Sequence, residues 1–168
     1  MGDRRPKVLR SAIQRCGADA KVQRCRVHKI RNVTEHLPKD KAQQARWVIT
    51  QSFKKLDAVR GKNKLRELAR QLPAQRPDAA ASVREGLDEV FTIMELGIIC
   101  ELARWLATTN VIESPNSVVP RVSCRVTNYK SADMALGCTA AGFLEAEKSF
   151  RKIRGFAQLQ SLINGLRP

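Results

Sequence analysis

With 168 residues, 43% of them hydrophobic, the chain is long enough to bury a core and too apolar for wholesale disorder. Its formal charge of +15, from 31 Lys and Arg against 16 Asp and Glu, calls for a polyanionic partner and places nucleic acid well ahead of an anionic membrane surface. Five Phe, two Trp and one Tyr are too few for stacking single-stranded bases on aromatic platforms, so contact with duplex phosphates fits better.

The charge is unevenly spread. Residues 1–77 hold 21 Lys or Arg against 6 acids, residues 78–100 hold 1 against 5, and residues 101–168 hold 9 against 5. Residues 7–15 read as a short basic helix with Val8, Leu9, Ala12 and Ile13 on one side. Ala20 to Cys25 is a candidate strand, and Val27, Ile30, Val33 and Leu37 then repeat at helical spacing until Pro38.

From 39 to 107 the chain reads as wholly helical. Ala45, Val48, Ile49, Phe53 and Leu56 form one apolar stripe, and Leu65, Leu68, Ala69 and Leu72 a second, ended by Pro73. Ser82-x-x-Glu85 has the form of a capping box opening a helix with Val83, Leu87, Val90, Phe91 and Met94 inward and Gly97 at its end. Ile98 to Leu106 supplies a further short helix. Glu113 then opens a helix in which Pro115 is tolerated at the start and Pro120 should kink or stop the chain. A long helix from Ser131 to Arg151 places Met134, Leu136, Ala140, Phe143 and Leu144 inward, with Glu147 and Arg151 paired. Gly155 breaks it before a last helix, Leu159 to Leu166.

The five cysteines, at 16, 25, 100, 124 and 138, form no repeated pair, and the N-terminal residues lack an apolar leader. That pattern predicts reduced thiols and a cytoplasmic protein with no membrane partner. No Gly-rich phosphate loop, nucleophile elbow or His-Glu-x-x-His is present.

Two segments can carry chemistry. In Gln23-Arg24-Cys25-Arg26-Val27-His28-Lys29-Ile30-Arg31-Asn32, Cys25 and His28 could share a metal or be a buried thiol beside a hydrogen-bonding imidazole. Arg24, Arg26, Lys29 and Arg31, with no acid between them, suit phosphate contact, the alternative being a solvated face. In Thr108-Thr109-Asn110-Val111-Ile112-Glu113, Glu113 is the only acid between Glu101 and Asp133. It suits either a divalent metal facing a phosphate or the first turn of a helix capped by Thr109 or Asn110.

Taken together, in this order and separated by a helical interval, the two segments resemble the Mutator-type transposases of bacterial insertion sequences, in which Cys-x-x-His precedes a basic Arg-Asn and Thr-Thr-Asn-x-Ile-Glu carries the catalytic Glu. The likeness extends through residues 79–86, Asp133-Met134 and residues 140–148. It implies a mainly α chain with a small α/β element: a partial ribonuclease-H-like fold over 1–38, an all-helical insertion over 39–107, and C-terminal helices over 108–168 carrying Glu113. By the same resemblance, Glu113 is the catalytic residue and metal ligand, while Cys25, His28, Asn32 and Asn110 are supporting motif positions. Mg2+ or Mn2+ is the expected cofactor of the intact enzyme, and the expected reactions are DNA strand cleavage and strand transfer. The implied partners are the terminal inverted repeats of an element and a homo-oligomer, or a hetero-oligomer with full-length transposase.

The chain also departs from that pattern. The first catalytic Asp of the family would fall upstream of residue 1 and the second at about residues 3–4, where Asp3 stands one position out of register. Val119-Pro120 and Gly137-Cys138 replace positions that are typically basic, or Arg-Trp, in relatives. The expectation is a fragment that does not cleave DNA by itself. The alternative function is a non-catalytic DNA-binding protein derived from a transposase.

Overall fold

The structure, a computed structural model, describes residues 11, 15, 20–55, 57–72 and 76–166. Among them are nine α-helices, one 3-10 turn and no strand, so the chain is mainly α, as expected. The basic helix expected at residues 7–15, with Asp3 and Cys16, lies outside the described residues apart from Ser11 and Arg15.

Four helices build the larger core: α1 (Arg26–Thr34), α2 (Lys39–Phe53), α3 (Ala58–Gln71) and α4 (Pro77–Arg84). Local chemistry starts them where they start. The Asp57 carboxylate accepts from the Val59 amide at 2.9 Å to cap α3, and Pro77 occupies the first turn of α4, where a missing N–H costs nothing. Their apolar stripes then meet: α1 packs on α2 and α4, and α3 on α2 and α4. Val33, Ile49, Leu65, Val83, Val90 and Phe91 are all but completely buried there. Gly61 in α3 makes room for Phe91, since a Cβ at that position would lie 2.4 Å from the ring.

After α4 the chain departs from the expected helix. Ser82 lies inside α4, and the backbone leaves the helix at Glu85 (ψ 118°) and turns left-handed at Gly86 (φ 58°). Val83, Leu87, Val90 and Phe91 do reach the core, but from the end of α4 and a run of turns leading to the one-turn α5 (Thr92–Glu95). The capping-box reading fails because Pro77 already opens the helix five residues earlier. Gly97 (φ 72°) then marks the stop as expected.

A smaller core gathers Ile93, Ile98, Leu102 and Ala103 around α6 (Cys100–Leu106), with Ile153, Leu159 and Leu162 packed against it from the C-terminal segment. That segment is a 3-10 turn, Phe156–Gln158, followed by α9 (Leu159–Leu166), the helix the sequence predicted.

Between these lie α7 (Asn110–Val122) and α8 (Ala132–Glu147), which pack on each other. Since α7 begins at Asn110, Pro115 sits in its second turn, not its first, and Pro120 does not stop it, the helix running on to Val122. Nor is the inward face of α8 the expected one. Leu136 and Leu144 are 69% and 64% exposed, whereas Gly142 and Ala146 are buried. The cause is close approach: a Cβ on Gly142 would lie 2.7 Å from the Val119 Cα, so only small residues fit that seam. α8 also ends at Glu147, and Lys148 pairs with Glu145 at 2.6 Å in place of the expected Glu147–Arg151 pair.

Candidate functional site

Residues 20–25 were expected to form a strand; among the described residues they pair with no strand, although Cys25 itself has extended backbone angles. Their polar groups are met instead by the turns around residue 90. The Arg24 amide donates to the Glu89 carbonyl at 2.9 Å, and the Thr92 hydroxyl to the Val22 carbonyl at 2.6 Å. Gln23 donates through Nε2 to the Val90 carbonyl at 3.1 Å and accepts the Ile93 amide at 3.0 Å. One side chain thus does what a neighbouring strand would do, satisfying backbone groups that burial would otherwise strand.

The Arg26 amide next donates to the Ala107 carbonyl at 2.8 Å, tying the start of α1 to the end of α6. This bond sets Cys25, at the N-cap of α1, and His28, in its first turn, beside Thr109. Thr109 is the N-cap residue of α7, with Glu113 one turn along. The Thr109 hydroxyl lies 2.6 Å from Glu113 Oε1, 3.4 Å from His28 Nδ1 and 3.5 Å from Cys25 Sγ. His28 Nε2 is itself 3.6 Å from Glu113 Oε1. The hydroxyl has a single proton, shared between the Glu113 carboxylate and the Cys25 sulfur, with the short contact to the carboxylate the stronger of the two. Both motif segments, more than 80 residues apart in sequence, therefore converge on one hydroxyl. Thr109 was foreseen only as a helix cap; its i,i+4 spacing to Glu113 was the signal for the role it plays.

The site is open to solvent, with the Glu113 side chain 51% exposed and that of His28 44%. Burial pushes the Cys25 thiol up, but hydrogen bonds from the Thr109 hydroxyl and from the amides of His28, Thr109 and Val27 bring it below its ordinary value. Position at a helix N-terminus acts in the same direction. Alkylation of Cys25, followed by mass spectrometry across pH 6–9.5, is expected to show a midpoint below that of an unstructured thiol. In Thr109→Val that midpoint should rise, while Thr109→Ser should keep it; an unmoved midpoint in Thr109→Val would contradict the assigned contact.

Three of the four basic residues of the first segment have protein partners. Lys29 is 5% exposed, and its ammonium donates to the carbonyls of Ser82 and, at 2.5 Å, Glu85. Desolvation, aided by the nearby Arg24 charge and opposed by Glu85, lowers its pKa to about 8. Arg24 pairs with Glu89 at 2.8 Å and Glu85 at 3.1 Å. The guanidinium of Arg26 donates to the Val90 carbonyl at 3.2 Å and lies 4.8 Å from the centre of the Phe53 ring. Arg31 and Asn32 are exposed on α1, as is Asn110 at the start of α7.

Among the described residues no group of three His, Cys, Asp or Glu side chains is placed to hold a metal ion. Glu113 and His28 offer one carboxylate and one imidazole, a donor set that does not fit a pair of hard divalent cations. No described helix is long and apolar enough to cross a membrane.

A model of the family described as "Transposase, Mutator family" matches residues 5–146. The transposase for insertion sequence element IST2 of Acidithiobacillus ferrooxidans is 26% identical over 145 residues, which cover 86% of this chain and 48% of that relative. The chain thus spans about half the length of the curated relative it matches. No solved structure matches.

Proposed function

Because the chain belongs to the Mutator family of transposases, we propose that it is the portion of such an enzyme carrying the catalytic glutamate, Glu113, and that its partner is double-stranded DNA. One observation carries this reading: Cys25 and His28 on α1 meet Thr109 and Glu113 at the start of α7, with a hydrogen bond of 2.6 Å holding one carboxylate oxygen. Such a bond fixes the carboxylate's orientation and leaves Oε2 for a ligand. His28 Nε2, 3.6 Å from the fixed oxygen, adds positive charge on that side whenever it is protonated.

In the intact family enzyme a divalent metal, Mg2+ or Mn2+, supplies Lewis acidity and an activated nucleophile at phosphodiesters. Glu113 is the ligand this chain contributes. Cys25, His28, Asn32 and Asn110 are proposed as supporting positions, the first two through Thr109. Of the four cations expected at phosphates, Arg24, Arg26 and Lys29 secure the α1 entry to the turns after α4, so the exposed Arg31 is left to meet DNA from α1.

The boundaries 1–38, 39–107 and 108–168 follow the family pattern of a ribonuclease-H-like segment interrupted by helices. They are boundaries of descent, for α1 packs on α2 and α4 of the helical insertion.

A single carboxylate does not hold two metals, so the purified 168-residue chain should bind duplex DNA, with affinity falling steeply as salt rises, and should not nick it. Supercoiled plasmid incubated with the chain and Mg2+ or Mn2+ is the check, beside Glu113→Gln. Nicking lost in Glu113→Gln would refute the inactive-fragment reading while supporting the role of Glu113. Failure to bind duplex DNA at low salt would refute the partner.

A further inference from the structure

The side chains expected to meet phosphate on α1 are mostly engaged elsewhere, and three arginines gather on α3 and α4. Arg66 and Arg70, one turn apart on α3, and Arg84, in the last turn of α4, line one open cleft with Leu87 and Asp88. We infer that this cleft is a binding site for the phosphodiester backbone of duplex DNA, an inference that rests on the reading of DNA as the partner.

The charges in the cleft favour an anion. Asp88, the only acid among its described lining residues, is paired with Lys62 Nζ at 2.8 Å, a lysine it shares with Glu95, and the Arg66 charge also acts on it, so three arginines face one carboxylate that already has a partner. Arg66 bonds to the neutral Asn63 at 2.9 Å, and among the described residues no ion pair holds Arg66 or Arg84. Arg70 has an i,i+3 partner in Glu67 at 3.1 Å, an exposed pair of the kind that contributes little and yields readily to a better anion. Guanidinium groups match phosphate oxygens two at a time, and three from two helices can span neighbouring phosphates on a strand.

The cleft also lacks what other ligands need. Among its described lining residues the one apolar side chain, Leu87, is buried at 7% exposure and none is aromatic, so they offer nothing on which an unpaired base could stack. α3 and α4 pack directly on each other, which fixes the spacing of the arginines in the free protein.

The test is duplex binding by the whole chain, read by fluorescence anisotropy from 50 to 250 mM salt. In Arg66→Gln/Arg84→Gln the slope of log K against log salt should be shallower by about 2, one contact per residue, with affinity reduced equally for unrelated sequences. Arg66→Lys/Arg84→Lys should restore the slope. Arg60→Gln/Arg104→Gln, which removes the same charge outside the cleft, should leave it unchanged, and circular dichroism melts establish that every variant is folded. An unchanged slope in the first variant, or an equal change in the control, overturns the cleft as a DNA site while leaving DNA as the partner. No duplex binding by the unmodified chain overturns both readings. Inorganic phosphate at matched ionic strength should not displace the duplex; displacement that disappears in Arg66→Gln/Arg84→Gln would make this a free-phosphate site and overturn the proposal.

Discussion

Lys29→Ala is expected to lower the unfolding free energy at pH 7 by about 2–3 kcal/mol, an unusually large loss for a lysine in a chain with so many. Two carbonyls, those of Ser82 and Glu85, lose their donor, at about 1–3 kcal/mol each. The buried methylene stem of Lys29 is worth a similar amount, at about 0.8 kcal/mol per methylene. Relief of the buried charge offsets roughly 3 kcal/mol of that, the equivalent of a pKa near 8 in place of 10.5. The same shift gives a pH signature. Because the folded pKa is depressed, the unfolded chain binds more protons than the folded one between about pH 8 and 10.5, so Lys29 makes stability rise with pH across that window. The neutral amine still has two N–H groups for its two carbonyls. Urea unfolding at pH 7, 8, 9 and 10 checks this: wild type should gain on Lys29→Ala as pH rises. Lys62, whose pKa is raised by hydrogen bonds to Asp88 and Glu95, loses its contribution only at still higher pH and cancels in the comparison. A constant difference between the two proteins would show that folding does not depress the pKa of Lys29.

Phe91→Ala should cost more, about 3–5 kcal/mol. The ring is fully buried, meets Phe53 edge-on with centroids 5.6 Å apart, and fills the space that Gly61 leaves open. Its consequence reaches the candidate site. Glu89, Val90, Thr92 and Ile93, on either side of Phe91, make the hydrogen bonds that fix residues 22–24, and the Val90 carbonyl also accepts from Arg26. Loosening the ring therefore loosens the segment that presents Cys25 and His28 to Thr109. Urea titration gives the loss of stability, and the Cys25 alkylation midpoint should move toward that of an unstructured thiol. A destabilised Phe91→Ala that retains the wild-type midpoint would show that the site is held independently of the larger core.

The apolar stripes of α2 and α3 were legible because burial along a helix repeats every 3.6 residues, and Ile49, Leu65 and Leu68 are buried where that period places them. The run from Ser82 to Met94 kept a helical period without forming one helix. Its apolar residues face the same core, and the break at Glu85 and Gly86 follows from where the chain must turn, with the Arg24 guanidinium lying where a side chain on Gly86 would be. The expected strand was misread for a related reason: an extended segment is a strand only if another lies beside it, and here the turns around residue 90 take that place.

Sequence by itself determined the family, the mainly helical class and the two segments, Cys25 to Asn32 and Thr108 to Glu113, on which a function can be argued. These are properties of local order and spacing, which the chain carries whether folded or not. Tertiary structure alone decided that Thr109 joins the two segments, that Gly142 and not Leu144 faces α7, and that three of four basic side chains near Cys25 hold the fold together while arginines on α3 and α4 line an open cleft. The reason is that a lysine or arginine is spelled identically in solvent and in a core. Which it becomes depends on acceptors such as the Ser82 and Val90 carbonyls, more than 50 residues away in sequence and adjacent only after folding.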